Sequence, residues 1–250
     1  MTAWPVDCFA GARVLVVGGT SGIGAGIAAA FLAERAQVTL TGATAAEAAA
    51  AAQAMPGCDA RPLDVRDDAA VQALLAGLGG LGGLGGLDHL VYSAGIIRRG
   101  AEHDPAVFAQ VLDINLTGAM RVAAAARPLL AVRGGSVTLM ASMLAFFGGG
   151  LVPGYAASKG GIAQLTKSLA IAWAADGIRV NAIAPGWIAT PLTDPLRAEP
   201  AREAAILART PLGRWGTPAD VAGAALFLAS PLAGFVTGAV LPVDGGYLVS

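Results

Sequence analysis

Short apolar runs alternate with longer alanine-rich segments along the whole chain, and this alternation restricts the fold more than any other feature. The runs are rich in β-branched residues, are bounded by turn residues, and cover 14–17, 38–40, 89–92, 136–140, 179–183 and 239–243. The segments between them have helical length and include 24–35, 69–76, 105–130 and 155–176. Parallel strands need such crossovers, and strands that are apolar throughout are buried on both faces. The pattern therefore predicts an α/β fold, a doubly wound parallel sheet with helices on both faces.

Length, charge and cysteine content narrow the possible functions. A chain of 250 residues can form one domain, so we expect a single unit over 1–250. The net charge of −1 and the charged fraction of 13% argue against a nucleic-acid partner, which selects for basic patches. Cys8 and Cys58 are too few for a disulfide framework and lack metal-ligand spacing. We therefore expect no metal. With no basic leader at the start of the chain, we also expect a cytoplasmic protein.

One uncharged stretch is long enough to cross a membrane. It runs from Val221 to Val243 and contains 23 residues. Pro231, Gly234, Gly238 and Pro242 divide it into a helix-like half, 221–230, and a strand-like half, 235–243. We interpret it as a buried helix and a buried strand rather than a membrane span.

A glycine-leucine tract occupies residues 77–86 and reads GLGGLGGLGG. Each glycine opposes helix formation by about 1 kcal/mol, so we expect the preceding helix to end near Ala76. The tract contains no Lys, Ser or Thr, which favours an expanded connecting loop over a phosphate-binding role.

A glycine-rich turn follows the first predicted strand directly and opens a predicted helix. Without Cβ atoms in the way, backbone N–H groups of such a turn can approach a pyrophosphate, and the helix N-terminus adds partial positive charge. The strand-turn-helix context therefore predicts a Rossmann-type dinucleotide site. Its candidate contacts are Gly18, Thr20, Ser21, Gly22, Ile23 and Gly24.

Tyr155 and Lys159 are four residues apart and share one face of a predicted helix. The chain holds only 3 tyrosines and 2 lysines, so this spacing is improbable by chance. An ammonium about 4 Å from the phenol at moderate dielectric stabilises the phenolate by about 4 kcal/mol, enough to bring its pKa near neutrality. The pair is therefore a candidate acid/base for proton transfer at a substrate hydroxyl.

These motifs together resemble the short-chain dehydrogenase/reductase family over essentially the whole chain. The family's first turn reads TGxxxGxG, and here Val17 stands in place of the threonine. Its NNAG segment stands as Tyr92-Ser93-Ala94-Gly95, so the side-chain bracing must differ. The resemblance implies an NAD(P)-dependent oxidoreductase and a homotetramer. It also implies contacts to the adenine from Asp64 and Val65 and close approach of the coenzyme to Ala94 and Gly95.

The resemblance also implies a catalytic set. Ser142 would bind the substrate oxygen, Asn115 would link Lys159 to solvent through water, and Tyr155 would exchange the hydroxyl proton while hydride passes to or from the nicotinamide. Tyr155 and Lys159 would also contact the coenzyme. The segment after the fifth predicted strand would hold the carboxamide through Pro185, Gly186, Ile188 and Thr190.

The choice between NAD and NADP depends on the end of the second predicted strand. An acidic residue there would bind the adenosine ribose, and an arginine would accept a 2′-phosphate. The chain has Thr41-Gly42-Ala43-Thr44, which is neither. We expect NAD or NADP, with NAD preferred.

Several segments resemble a narrower branch, the 2-keto-3-deoxy-gluconate and gluconate 5-dehydrogenases. They are 94–100, 141–149, 152–161 and 209–218. A sugar acid or polyol is then the expected substrate. Arg98 or Arg99 would pair with the carboxylate of a sugar acid. Met143 and Trp187 would line the substrate pocket, and a lid at about 190–212 would cover it.

Two alternatives stay open at this point. Met143, Leu144, Phe146, Phe147 and Trp187 would also line an apolar pocket for 3-oxoacyl, steroid or aromatic carbonyls. The altered segment 92–95 would suit a non-catalytic dinucleotide sensor, although the retained Asn115, Ser142, Tyr155 and Lys159 weigh against that function.

Overall fold

The fold is built around one sheet of seven parallel strands in the order β3-β2-β1-β4-β5-β6-β7. A computed structural model describes residues 7–80 and 85–250. The strands are β1 Arg13–Val17, β2 Gln37–Gly42, β3 Asp59–Pro62, β4 His89–Tyr92, β5 Ser136–Met140, β6 Arg179–Pro185 and β7 Val240–Val243. The helices are α1 Gly22–Ala33, α2 Ala45–Ala54, α3 Asp68–Gly80, α4 Pro105–Leu112, α5 Gly118–Ala131, α6 Pro153–Trp173, α7 Asp194–Arg197, α8 Pro200–Ala208 and α9 Pro218–Ala229. The predicted α/β fold is confirmed.

Both faces of the sheet are buried, and β1 shows how. Leu15 and Val17 belong to one apolar core, to which α3, α5 and α6 contribute. Val14 and Val16 belong to a second core, to which α1 and α9 contribute. Side chains of a strand point alternately to its two faces, so both faces must be apolar. This requirement explains the uninterrupted apolar runs of the sequence.

The chain builds the sheet outward from β1 in two directions: β2 and β3 lie on one side of β1, and β4 to β7 lie on the other. Val17, the last residue of β1, is level with Thr41 of β2 on one side and Tyr92 of β4 on the other. The loops after these three strands therefore leave the sheet at one edge. Such a change of direction opens a crevice at the carboxyl ends of the strands, which is where open α/β sheets bind their ligands.

Three features differ from the sequence prediction. The sequence pattern missed β3 and α2. The predicted helix 105–130 is two helices, because a π-helical turn, Asp113–Thr117, separates α4 from α5. Helix α3 continues past Ala76 to Gly80. Leu78 explains this extension, since its side chain is 9% exposed in the core and its carbonyl accepts a hydrogen bond from Arg13 Nη2 at 2.6 Å. Residues 81–84 of the glycine tract lie outside the described residues.

The uncharged stretch 221–243 divides as predicted. Its first half belongs to α9, with Val221 0% and Leu228 1% exposed, and its last residues form β7. Within the described ranges, none of the helices combines the length and the apolar character that crossing a bilayer requires.

Candidate functional site

A cavity of about 1020 Å³ opens at the carboxyl ends of β1, β2 and β4. Most of the residues that the sequence assigned to a dinucleotide lie on its wall. These are Gly18, Thr20, Ser21, Gly22, Ile23, Gly24, Asp64, Val65, Ala94, Gly95, Tyr155, Lys159 and Thr190. The wall also includes residues that sequence reasoning missed, among them Glu47, Arg66, Ser93, Ile96 and Leu192.

The glycine turn forms a cradle in which side chains have no room. Gly18 has φ +78°, and a Cβ there would lie 2.5 Å from the backbone nitrogen of Ala94. A Cβ at Gly24 would lie 2.0 Å from the carbonyl oxygen of Gly18. The hydroxyl of Ser21, the N-cap of α1, makes no capping hydrogen bond, so the first N–H groups of the helix have no local side-chain acceptor. This arrangement fits a pyrophosphate.

The hydroxyl that Val17 lacks is replaced from β2. Thr41 Oγ1 accepts a hydrogen bond from Gly18 N at 3.3 Å, and Thr41 O accepts one from Gly19 N at 2.9 Å. Thr41 is 1% exposed, so these bonds are shielded from water. The turn is therefore braced despite the changed residue.

Two carboxylates lie where the adenosine half of a dinucleotide would bind. Asp64 is paired with Arg66, whose Nη2 lies 2.7 Å from Asp64 Oδ2, and these hydrogen bonds lower the pKa of the carboxyl. Glu47 Oε2 accepts a hydrogen bond from Ala43 N at 2.7 Å and would lie 3.1 Å from a Cβ on Gly42. The Thr44-to-Glu47 spacing of a capping box could have indicated this carboxylate from the sequence.

Tyr155 and Lys159 lie about one turn apart on α6, and both line the cavity. The Lys159 ammonium donates to Met140 O at 2.7 Å and lies 5.3 Å from the centre of the Tyr155 ring. Burial lowers the pKa of Lys159 to about 8. The Ser142 side chain lies close enough to the Tyr155 hydroxyl to lower the pKa of the phenol.

The expected lowering of the Tyr155 pKa by the ammonium is not found. Burial raises the pKa of Tyr155, the hydrogen bond from Ser142 lowers it, and the charge of Glu102 raises it. Burial is the largest of these effects, because it disfavours the charged phenolate.

Asn115 lies in the π-helical turn and is fully buried. Its Oδ1 accepts from Ile96 N at 2.8 Å, and its Nδ2 donates to Ile96 O at 3.0 Å and to Ser158 Oγ at 3.1 Å. Tyr92 holds the same turn, because its hydroxyl donates to Ile114 O at 2.5 Å. This hydrogen bond stabilises the turn in place of the side-chain contacts that the altered segment 92–95 lacks. A water link from Asn115 to Lys159 stays a prediction.

The segment after β6 divides between two cavities. Thr190 lines the large cavity, whereas Trp187 and Ile188 line a second one of about 480 Å³. Pro185 ends β6, and a Cβ on Gly186 would lie 2.7 Å from Asp244 Cα. Pro185 and Gly186 therefore support the segment from behind rather than lining either cavity.

The predicted substrate residues differ in exposure. Arg98 and Arg99 are exposed on the loop after β4, whereas Met143 is 4% exposed directly after Ser142. Several aromatic side chains pack on one another: Phe147 on Tyr247 with ring centres 6.2 Å apart, and Trp187 on Trp215 at 5.8 Å. Sequence reasoning missed Tyr247 and Trp215. Leu144 is partly buried and Phe146 is 53% exposed.

Comparison with known proteins gives one consistent family. A sequence profile described as Enoyl-(Acyl carrier protein) reductase matches residues 17–248. The chain is 48% identical over 164 residues to a 2-dehydro-3-deoxy-D-gluconate 5-dehydrogenase of Pseudoalteromonas atlantica, covering 64% of this chain and 65% of the relative, less than two thirds of its length. It is 40% identical over 248 residues to a galactitol 2-dehydrogenase (L-tagatose-forming) of Cereibacter sphaeroides, covering 96% of both proteins.

A solved structure shares the fold over almost the full length. A gluconate 5-dehydrogenase of Burkholderia cenocepacia, in complex with NADP and tartrate, superposes with a TM-score of 0.91 at 32% identity and covers 99% of this chain and 100% of the other. The glycine cradle, the Tyr155 and Lys159 pair and these matches agree with the resemblance inferred from the sequence. The chain belongs to the short-chain dehydrogenase/reductase family of NAD(P)-dependent alcohol dehydrogenases and ketoreductases.

Proposed function

We propose that the protein interconverts a secondary alcohol and a ketone with Tyr155 as its acid/base. The observation that carries this proposal is that Tyr155 and Lys159 line a cavity whose glycine turn fits a dinucleotide, with the Ser142 side chain beside Tyr155. Proton transfer and oxyanion stabilisation are the two tasks that this chemistry sets for side chains.

Each side chain has a distinct part. In oxidation the deprotonated Tyr155 oxygen takes the hydroxyl proton of the alcohol, and Ser142 donates to the substrate oxygen as negative charge develops. Lys159, whose pKa is lowered to about 8 by burial, exchanges protons readily near neutral pH. Asn115 holds Ile96 and Ser158 in place beside it. The nicotinamide, when bound, supplies the acceptor for the hydride. Reduction follows the same steps in reverse.

The test compares two tyrosine variants. Tyr155→Phe removes the hydroxyl, and we expect turnover to fall at least a hundredfold, in the range typical of general acid/base groups. Tyr247→Phe is the matched control, because Tyr247 packs on Phe147 and has no part in the proposed chemistry. Coenzyme binding, measured by fluorescence titration, should be unchanged in both. Near-normal turnover in Tyr155→Phe refutes the assignment.

We propose a sugar acid or a polyol as the substrate. The gluconate, keto-deoxy-gluconate and galactitol relatives support this class. Arg98 and Arg99 are exposed on the loop after β4, where one of them can pair with a carboxylate. An apolar carbonyl is the second candidate, favoured by Phe146 and Leu151, which are 53% and 50% exposed.

We propose NAD as the preferred coenzyme, although the Burkholderia relative holds NADP. Glu47 places its carboxylate beside Gly42 at the end of β2, where it can accept from a ribose hydroxyl and repel a 2′-phosphate. Glu47→Gln keeps the capping hydrogen bonds and removes the charge. We expect the ratio of kcat/KM for NADP to that for NAD to rise about fivefold, equivalent to about 1 kcal/mol for an exposed charge. An unchanged ratio would contradict this role of Glu47.

We propose that the protein is cytoplasmic and forms a homotetramer. Each chain is a single domain over 1–250, with a substrate lid at about 190–212. The lid range holds α7 and α8. Large apolar side chains far from the cavity support assembly, notably Ile171, 81% exposed on α6, and Phe235, 105% exposed before β7. Light scattering tests the assembly: a mass of four chains agrees with it, and a monomer refutes it.

A further inference from the structure

A buried carboxylate lies next to the proposed catalytic residues without being one of them. Glu102 is in the short 3₁₀ turn Ala101–His103, between β4 and α4, and is 1% exposed. A buried carboxylate is costly unless donors satisfy it, so its partners indicate its purpose.

Both oxygens of Glu102 accept hydrogen bonds from the main chain. Oε1 accepts from Arg98 N at 2.7 Å, and Oε2 accepts from Tyr155 N at 2.7 Å. One side chain therefore joins two segments. The first is the loop that carries Arg98 and Arg99, named here the arginine loop (residues 96–100). The second is the first turn of α6, which carries Tyr155.

The first turn of α6 needs such a partner. Its N-cap residue, Val152, has no side-chain acceptor, and Pro153 has no N–H. Glu102 supplies the missing acceptor from a distant part of the chain and places negative charge at the positive end of the helix. Gly154 makes room for it, since a Cβ there would lie 3.3 Å from Glu102 Oε2.

Two further hydrogen bonds join the same parts of the chain. Gly100 N donates to Leu151 O at 2.7 Å, and His103 Nε2 is 2.9 Å from Gly150 O. The arginine loop, the turn after it and the residues before α6 are thus connected at several points. Among these contacts, Glu102 alone reaches the Tyr155 residue itself.

We propose that Glu102 is a positioning residue, which holds the Tyr155 turn and the arginine loop in one fixed arrangement, so that a substrate anchored by its anionic group presents its carbinol to the Tyr155 hydroxyl. This inference rests on the proposed function, in which Tyr155 is the acid/base. Displacements near 1 Å are enough to reduce turnover by about a hundredfold, so the arrangement matters.

The charge of Glu102 also affects the chemistry of Tyr155. It raises the pKa of the phenol, as burial does, and the hydrogen bond from Ser142 opposes both. Among the described residues, the Lys159 ammonium also faces the ring, 5.3 Å from its centre. Loss of the Glu102 charge therefore lowers the Tyr155 pKa. A purely structural residue would not have this effect.

The experiment separates the charge from the geometry. Glu102→Asp keeps the charge, but its side chain is one methylene too short to reach both N–H groups. Glu102→Gln keeps the length but removes the charge and one of the two acceptors, because an amide nitrogen cannot accept from an N–H. His103→Ala is the matched control, because it removes a contact between the same segments and leaves the carboxylate in place. For each protein, kcat and KM are measured across pH with the anionic and the neutral substrate that the wild type turns over fastest, and folding is checked by thermal unfolding.

We expect kcat to fall at least tenfold in both Glu102 variants and KM to rise for the anionic substrate more than for the neutral one. In Glu102→Gln the acid limb of the oxidation profile also moves to lower pH, whereas in Glu102→Asp and His103→Ala it stays in place. Wild-type kcat and KM in a folded Glu102→Asp, or an unmoved limb in a folded Glu102→Gln, would overturn the inference. If Glu102→Gln does not fold, Glu102→Asp alone decides the positioning role. Tyr155→Phe distinguishes the two proposals, since an active Tyr155→Phe refutes the proposed function itself.

Discussion

The close approach of Gly18 to Ala94 gives a quantitative test of the coenzyme cradle. In Gly18→Ala the new Cβ would lie 2.5 Å from Ala94 N, a backbone atom that cannot rotate away. Ordinary contact needs about 3.4 Å, so the two walls of the cavity must separate by about 1 Å. The φ of +78° at Gly18 adds a strain of about 1 kcal/mol for any residue with a side chain. Because backbone N–H groups of this turn would hold the pyrophosphate, we expect coenzyme affinity to fall at least tenfold.

Gly11→Ala is the matched control for this variant. Gly11 has φ +74°, and nothing lies within 4 Å of its Cβ position. It therefore carries the same backbone strain without the contact. Both variants should lose similar unfolding free energy from φ, but only Gly18→Ala should bind coenzyme weakly in fluorescence titration. Equal coenzyme affinity in the two variants would show that the close approach of Gly18 to Ala94 does not shape the coenzyme site.

Three further predictions concern pH and charge. Burial lowers the pKa of His89 to about 4. Between about pH 6.5 and 4 the unfolded chain therefore binds more protons than the folded chain, and the unfolding free energy should fall by up to about 3 kcal/mol as the pH drops. His89→Gln should flatten this pH dependence, measured by urea unfolding. Because the pKa of Tyr155 is raised, the oxidation rate should still be increasing on the alkaline side of neutrality, and a rate that peaks in acid would contradict it. Arg98→Ala or Arg99→Ala should raise KM for a sugar acid about tenfold and leave KM for a polyol unchanged; equal effects on both substrates would exclude a carboxylate contact.

The sequence predicted the parts of the fold that periodicity and glycine position determine. Six strands are apolar enough to be recognised, and the turn 18–24 is specific because it lies between a strand and a helix. The strand β3 was missed because Asp59-Ala60-Arg61-Pro62 has no apolar run. It is an edge strand that pairs only with β2, where polar residues and proline are tolerated.

Tertiary contacts determine what the sequence pattern could not predict. Helix α3 passes Ala76 because the burial of Leu78 outweighs the low helix propensity of glycine. Glu102 acts on Tyr155, 53 residues later in the chain, so neither periodicity nor spacing could connect the two. The position of the Lys159 ammonium over the Tyr155 ring also depends on a distant group, the Met140 carbonyl.

Hydride transfer with Tyr155 as acid/base can be measured through the rate at which the wild type and Tyr155→Phe form reduced nicotinamide from a panel of sugar acids and polyols. The reduced nicotinamide is followed by absorbance. Under this mechanism the wild type turns over at least one sugar acid or polyol, and Tyr155→Phe turns over none although it still binds coenzyme. Equal turnover by the two proteins would contradict it, as would a wild type that binds coenzyme and oxidises no member of the panel.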